Sequence, residues 1–380
     1  MTKALVIGGG IGGLTAAISL RKAGVEAVVF ERAPDLRALG AGIALWANAT
    51  KALRKLGLYE AVRDRGAEIG GETRTWRGRR LFTIPAGEMR SRFGEANLVM
   101  HRADLQAALL AALPEDTVRL GATLESFSQD GETVVAHFND GREESADLLV
   151  GADGLRSTVR ARVLDEGPPR YAGFTAWRGI AEGVEGLVPD GVGLNLWGSG
   201  MEFGLVSIGG GRAYWYLSKN APEGEAEGPY GRKEEVLRHL RGWYGAARAA
   251  VEATEDARIL RNDIYDREPS GRWGEGNATL LGDAAHPMTP NLGQGACQAI
   301  EDAAVLADAV RKTDSVAAAL RSYEARRIGR TGAVVRASRS MARVLQTEAP
   351  ILCGVRDAGV RLMPAGMRMR RLDPIVGYEV

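Results

Sequence analysis

The chain opens on a short apolar run, Ala4-Leu5-Val6-Ile7, which stops in glycines and gives way to a helical pattern with Leu14, Ala17, Ile18 and Ala23 on one face. That order predicts strand, turn, helix. Gly24 ends the helix, and Ala27-Val28-Val29-Phe30 predicts a second strand closing on Glu31, so one βαβ unit fills the first 31 residues. From about Thr73 to Asn97 the sequence becomes arginine-rich and polar with strand alternation, and a helical pattern returns from Arg102 to Leu113. Leu148-Leu149-Val150 is a further apolar strand before a glycine turn. Between about Tyr171 and Asp266 a period of two dominates, with strands expected at Val192–Trp197, Phe203–Ile208 and Tyr214–Leu217. Thr279-Leu280-Leu281 runs into Gly282, and after a Pro/Gly loop an alanine-rich helix is expected from about Ala296 to Arg311. From about Val334 the pattern is helical and basic.

Length adds that there are two regions, because 380 residues exceed what one core usually holds. Charge adds little: 49 basic and 48 acidic residues give a net charge of +1, which recommends neither nucleic acid nor an anionic surface for the chain as a whole. Two cysteines, Cys297 and Cys353, make no disulfide framework and suit a reducing compartment, and the four scattered histidines have no metal-ligand spacing. A strand beginning at Lys3 leaves no room for a signal peptide, and no apolar run approaches a membrane span, so the cytoplasm is the expected location. Glycine, at 50 residues, is in excess, and the excess marks places where backbone must turn or approach a ligand.

Gly8, Gly10, Gly12 and Gly13 form a GxGxxG pattern between strand and helix, where they permit the turn, the approach of a pyrophosphate and close helix packing. Glu31, followed by Arg32, sits at the end of the next strand, where a carboxylate accepts the ribose hydroxyls of an adenosine. This fingerprint alone does not separate FAD from NAD. Gly282-Asp283 does more: the aspartate closes a buried strand where it can accept from ribityl hydroxyls. Pro290, Gly293, Gln294, Gly295 and Ala296 then lead into a helix whose positive end can face the pyrimidine ring of a flavin.

These segments, together with Gly151-Ala152-Asp153-Gly154-Leu155-Arg156-Ser157, resemble the three motifs of the single-component (group A) flavin monooxygenases, the para-hydroxybenzoate hydroxylase-like family, over about residues 3 to 335. Tails like this one also occur in bacterial relatives of urate hydroxylase and zeaxanthin epoxidase. The resemblance implies a glutathione reductase-type, Rossmann-like α/β FAD domain, an inserted mixed β-sheet substrate domain, and C-terminal helices. Asp153 and Gly154 would serve both FAD and the nicotinamide cofactor, and Arg102 the FAD phosphate or ribityl region; Gly42 joins the cofactor set. The implied reaction is reduction by NADPH or NADH and capture of dioxygen as a flavin hydroperoxide, which passes one oxygen atom to a small aromatic or conjugated molecule. The alternatives are an oxidase or reductase without oxygenation, and a non-catalytic flavin redox sensor.

The FAD domain is assigned to residues 1–73, 98–171 and 267–335, the substrate domain to 74–97 and 172–266, and a C-terminal helical segment to 336–380. Monomer and homodimer are both open. On the substrate side, Tyr214 and Tyr216 share a strand face with Arg212, and these tyrosines and Pro287 are the candidates at the reacting centre. Met201, Phe203 and Leu205, on one face of their strand, suggest a less polar substrate, with Arg178 or Arg212 able to meet a negative charge. Urate hydroxylases carry an arginine on the strand corresponding to Met201-Glu202; this chain has none there, which disfavours urate. His286 is either a proton relay or a packed loop histidine, and Cys297 a packing residue in a first helical turn, where its pKa can fall. The basic tail reads as an arginine-decorated helix packed on the body rather than a membrane-surface element.

Overall fold

A computed structural model describes residues 2–36 and 41–380. Its first element pair follows the opening pattern closely: strand Lys3–Ile7, helix Ile11–Lys22, strand Glu26–Glu31. Six strands form the sheet of this domain, in the spatial order 274–275, 278–280, 148–151, 3–7, 26–31, 118–120. All neighbours pair in parallel except the edge strand Gly274–Glu275. Leu5, Val6, Val29, Leu149 and Leu280 are essentially inaccessible, as befits parallel strands covered on both faces, and this is why these strands read as unbroken apolar runs. A small antiparallel sheet, Leu124–Asp130, Thr133–Phe138 and Glu143–Ala146, is appended and was not expected.

The second domain is a seven-stranded sheet in the order 260–266, 170–182, 212–220, 201–209, 192–197, 70–75, 80–84. The three expected strands are there, as Val192–Trp197, Met201–Gly209 and Arg212–Asn220. Two helices, Arg232–His239 and Gly245–Glu252, which strand alternation gave no hint of, cover one face. Against them lie Trp177, Leu196, Phe203, Leu205, Trp215 and Leu217, with the Phe203 and Trp215 rings stacked 5.9 Å apart. Burying each such side chain contributes about 1.5–3 kcal/mol.

This packing corrects one expectation. Phe203 and Leu205 belong to that core and cannot shape a substrate surface; Met201 packs against the same core. The opposite face carries Arg178, Tyr214, Tyr216, Glu202 and Asn195, and at Tyr214 and Arg212 it meets the first domain: the Tyr214 ring lies so close to Gly42 that a Cβ there would meet it at 2.3 Å, and Arg212 pairs with Asp104 at 3.6 Å.

One helix, Val316–Leu345, joins the two domains. Its Arg327 reaches the first domain through Asp302, its Arg339 reaches Asp266, and its Leu345 packs with Leu81 and Trp197 of the seven-stranded sheet. It runs unbroken through residue 336, so the segment expected to begin there is the second part of a longer helix, followed by helices Pro350–Leu362 and Ala365–Val376.

Candidate active site

The glycine turn is built as a phosphate cradle requires. Gly8 has φ +107°, and a Cβ on it would stand 2.4 Å from Ala152 O; a Cβ on Gly13 would stand 1.9 Å from Gly8 O. These two positions must be glycine for the chain to fold. Gly10 differs, since its Cβ would meet no protein atom within 4 Å and would point into open space at the helix N-terminus. That end has no side-chain cap, so its N–H groups are free to face an anion. Gly12 packs the same helix on Leu281 and Ala299. Glu31 accepts from Gly9 N at 2.6 Å through Oε2 and from Ala33 N at 2.8 Å through Oε1, fixing the carboxylate at the strand end; Arg32 follows it.

Across the sheet, Gly282 adopts φ +62° and Asp283 follows it. The Asp283 side chain is open to solvent yet closely surrounded, so it lines a concave surface; that crowding raises its carboxyl above the usual range, with His286 and Arg102 opposing. Arg102 and Asp283, far apart in sequence, are thus brought within electrostatic reach. Arg102 begins the helix Arg102–Leu110, where His101 Nδ1 accepts from Ala103 N at 3.0 Å. The helix Gly295–Arg311 also starts without a side-chain cap, with Gln294 as its N-cap and Ala296 in its first turn. Around that start, Trp46 Nε1, His286 Nδ1, Asn291 Oδ1 and Gln294 Nε2 are buried without a hydrogen-bond partner among the described residues. The Trp46 indole lies against Gly293, which has φ +61°. Pro290 opens the short turn that ends on Gly293, and buried Pro287 accepts from Arg267 N at 3.4 Å. Two free helix ends and orphaned polar atoms at the second of them suit a polar, phosphate-bearing cofactor.

Asp153 is placed differently from a free ligand. Its carboxylate accepts from the Ser157 hydroxyl, from Thr158 N at 2.7 Å and from Val159 N at 3.3 Å, closing the start of helix Thr158–Leu164. Gly154, at φ +81° and open to space, makes that turn. Burial lifts the Asp153 carboxyl, and these hydrogen bonds pull it back.

Beneath the site lies a buried ionic cluster with no signature in the sequence. Asp302 Oδ2 sits 2.6 Å from His286 Nε2 and accepts from Gly282 N at 3.0 Å, while Oδ1 accepts from Arg327 Nε at 2.6 Å. Burial would raise the Asp302 carboxyl, but His286 and Arg327 together hold it down at about 2. Glu301 joins Arg327 and Arg330, and Asn48 donates to Glu301 at 2.6 Å. His286 therefore has a partner, one helix away. Cys297 is fully buried, and burial raises its thiol to about 12, against the lowering a first-turn position would give.

On the sheet face opposite, the Tyr216 hydroxyl stands 3.0 Å from Glu202 Oε1 and 2.9 Å from Asn195 Oδ1. Burial raises the Glu202 carboxyl to about 7, with the Tyr216 hydrogen bond and Arg356 opposing. Tyr214 is half-buried; burial raises its phenol and nearby Arg178 lowers it. The Arg178 guanidinium makes no hydrogen bond or ion pair among the described residues.

The family described as FAD binding domain matches residues 1–338. The chain belongs to that family, among the group A flavin monooxygenases. It is 43% identical over 360 residues, 94% of each chain, to the aurachin C monooxygenase/isomerase of Stigmatella aurantiaca. It is 35% identical over 331 residues, 86% of each chain, to the FAD-dependent urate hydroxylase of Klebsiella pneumoniae. The crystal structure of Klebsiella pneumoniae HpxO complexed with FAD and uric acid is similar at a TM-score of 0.93 and 31% identity, covering 99% of this chain and 97% of that one. FAD is therefore the cofactor, NAD(P)H use is typical of the family, and the relatives support a flavin monooxygenase rather than an oxidase, a reductase or a non-catalytic sensor. Bound FAD would supply the redox chemistry, and the two uncapped helix ends with Arg102 and Asp283 would hold it. Among the described residues no group of side chains could hold a metal ion, and no helix is long and apolar enough to cross a membrane.

Proposed function

We propose that the chain oxygenates a neutral, largely apolar aromatic compound bearing one hydrogen-bond donor, such as a phenol or a ring N–H, and that Tyr214, Tyr216, Glu202 and Arg178 position it. The observation that supports this reading is the cleft-facing side of the substrate sheet. There Glu202, Asn195 and the Tyr216 hydroxyl form a polar cluster on a face that also carries Tyr214, Ile180, Val206 and the Arg178 side chain. A carboxyl with a pKa near 7 accepts from a donor without demanding a charged substrate. Strand Met201–Gly209 carries no arginine to meet an anionic purine, and Glu202 on it disfavours one. The relative at 43% identity, named for aurachin C, supports the same direction. Gly10, Arg102, Asp283 and the 290–296 segment hold FAD in this reading, with Tyr214 against Gly42 closing the cleft and excluding water.

The test is NAD(P)H oxidation by the FAD-loaded enzyme over a panel of phenols, fused N-heteroaromatics, aurachin C and purines, with products weighed after reaction under oxygen-18 dioxygen. Phenols or fused heteroaromatics should stimulate turnover and yield product heavier by one labelled atom. Preferential turnover of urate would overturn the substrate assignment.

A further inference from the structure

Helix Pro350–Leu362 turns the wrong side outward for a surface helix. Toward the protein it directs charge: Asp357 is buried and accepts from Arg356 Nε at 2.9 Å, and the Arg356 guanidinium donates to Gly198 O at 3.0 Å. Toward solvent it directs apolar side chains, with Ile351 and Leu362 each 81% exposed, Val355 64% and Leu352 57%. At 100° per residue Ile351, Val355, Ala358 and Leu362 fall within about 60° of one another, a continuous ridge. The concentration is specific to this region. Among the described residues the exposed large hydrophobics are Val344, Ile351, Leu352, Val355, Leu362 and Met367, with only Leu120 and Tyr230 elsewhere.

Charge identifies the occupant. Residues 336–380 hold eight arginines and four carboxylates out of the chain's 49 basic and 48 acidic residues, leaving 41 and 44 to the remainder. The segment is thus positive by four on a body negative by three. Arg343, Arg361 and Arg371 are exposed, and none forms an ion pair among the described residues. A second copy docked on the ridge would press two positive segments together, whereas an anionic bilayer satisfies both the ridge and the arginines. We infer that this helix lies in the interface of a membrane containing anionic lipid, with its ridge at the acyl boundary and its arginines among the headgroups. Val360, on the inner edge, packs on the Leu81, Trp197 and Leu345 cluster, so docking sets that end of the substrate sheet against the lipid.

The experiment is cosedimentation of the full-length, FAD-loaded protein with phosphatidylcholine vesicles, with and without phosphatidylglycerol. The variant carries Ile351→Ser, Val355→Ser and Leu362→Ser, three exposed positions whose change leaves fold and NAD(P)H oxidation intact. The wild type should bind the vesicles containing phosphatidylglycerol, lose binding as salt is added, and bind more than about tenfold better than the variant. The inference is overturned if the wild type stays in the supernatant or if the variant binds as well. It is equally overturned if sedimentation velocity without lipid shows a dimer that the variant dissolves, since the ridge then belongs to a second copy.

Discussion

Replacing Asp302 by Asn should lower the melting temperature by about 4–6 °C and loosen flavin binding. The carboxylate is inaccessible and meets three groups at once: His286, Arg327 and the backbone N–H of Gly282. Asn keeps the shape but removes the charge, leaving Arg327, Arg330 and His286 in a buried space with Glu301 as the remaining carboxylate. Breaking a buried pair from one side costs about 3–5 kcal/mol. At about 2.1 cal/mol/K per residue, the unfolding entropy of a 380-residue chain is roughly 0.8 kcal/mol/K, which converts that loss into the stated shift. The pH dependence follows with a definite sign. The folded pKa of about 2 lies below the ordinary 3.8, so the stabilisation is complete above about pH 4 and fades as pH falls toward 2. The variant should therefore unfold in acid with a shallower dependence over that window. Flavin affinity falls because Asp302 fixes Gly282, and Gly282 sets the direction of Asp283. Thermal melts of apo- and holoprotein, with a fluorescence titration of FAD, measure all three effects. A melting temperature within about 1 °C of the wild type would refute the account of the cluster.

The two glycine substitutions should separate fold from cofactor. Gly13→Ala, with its Cβ at 1.9 Å from Gly8 O, should give little folded protein, whereas Gly10→Ala should melt like the wild-type apoprotein yet bind FAD at least about tenfold more weakly, as read by flavin fluorescence. Glu202→Gln tests the raised carboxyl. Because its folded pKa is about 7 against 4.5, ionisation costs stability as pH rises from about 4.5 through 7, reaching roughly 3 kcal/mol, so the Gln variant should keep a flat melting temperature where the wild type declines. Arg178→Met, which removes a cation without a partner, should raise KM for a phenolic substrate by about tenfold while leaving flavin content unchanged.

The nucleotide fold and the elements that frame the proposed cofactor cradle were legible because they are local. A strand that stops in glycines, a helix with one apolar face and a carboxylate at the end of the next strand are fixed by neighbours a few residues apart, and Gly8–Gly13, Glu31 and the 282–296 segment fall where those patterns indicate. The strands of the substrate sheet were also readable, from their period of two. Which face of that sheet met the core was not, because alternation marks two faces without saying which is covered. Helices Arg232–His239 and Gly245–Glu252 decided it, burying Phe203 and Leu205 and leaving Tyr214, Tyr216 and Glu202 on the opposite face. The charged cluster around Asp302 was invisible for a related reason: its members come from four separate stretches, and an aspartate, a histidine and an arginine look like surface residues until packing removes water from all of them together. The tail reversed the ordinary rule in the same way. Its arginines were plain in the sequence, but that its apolar side points outward is a property of how the helix is docked, because helical periodicity gives a stripe and only tertiary contacts choose its direction.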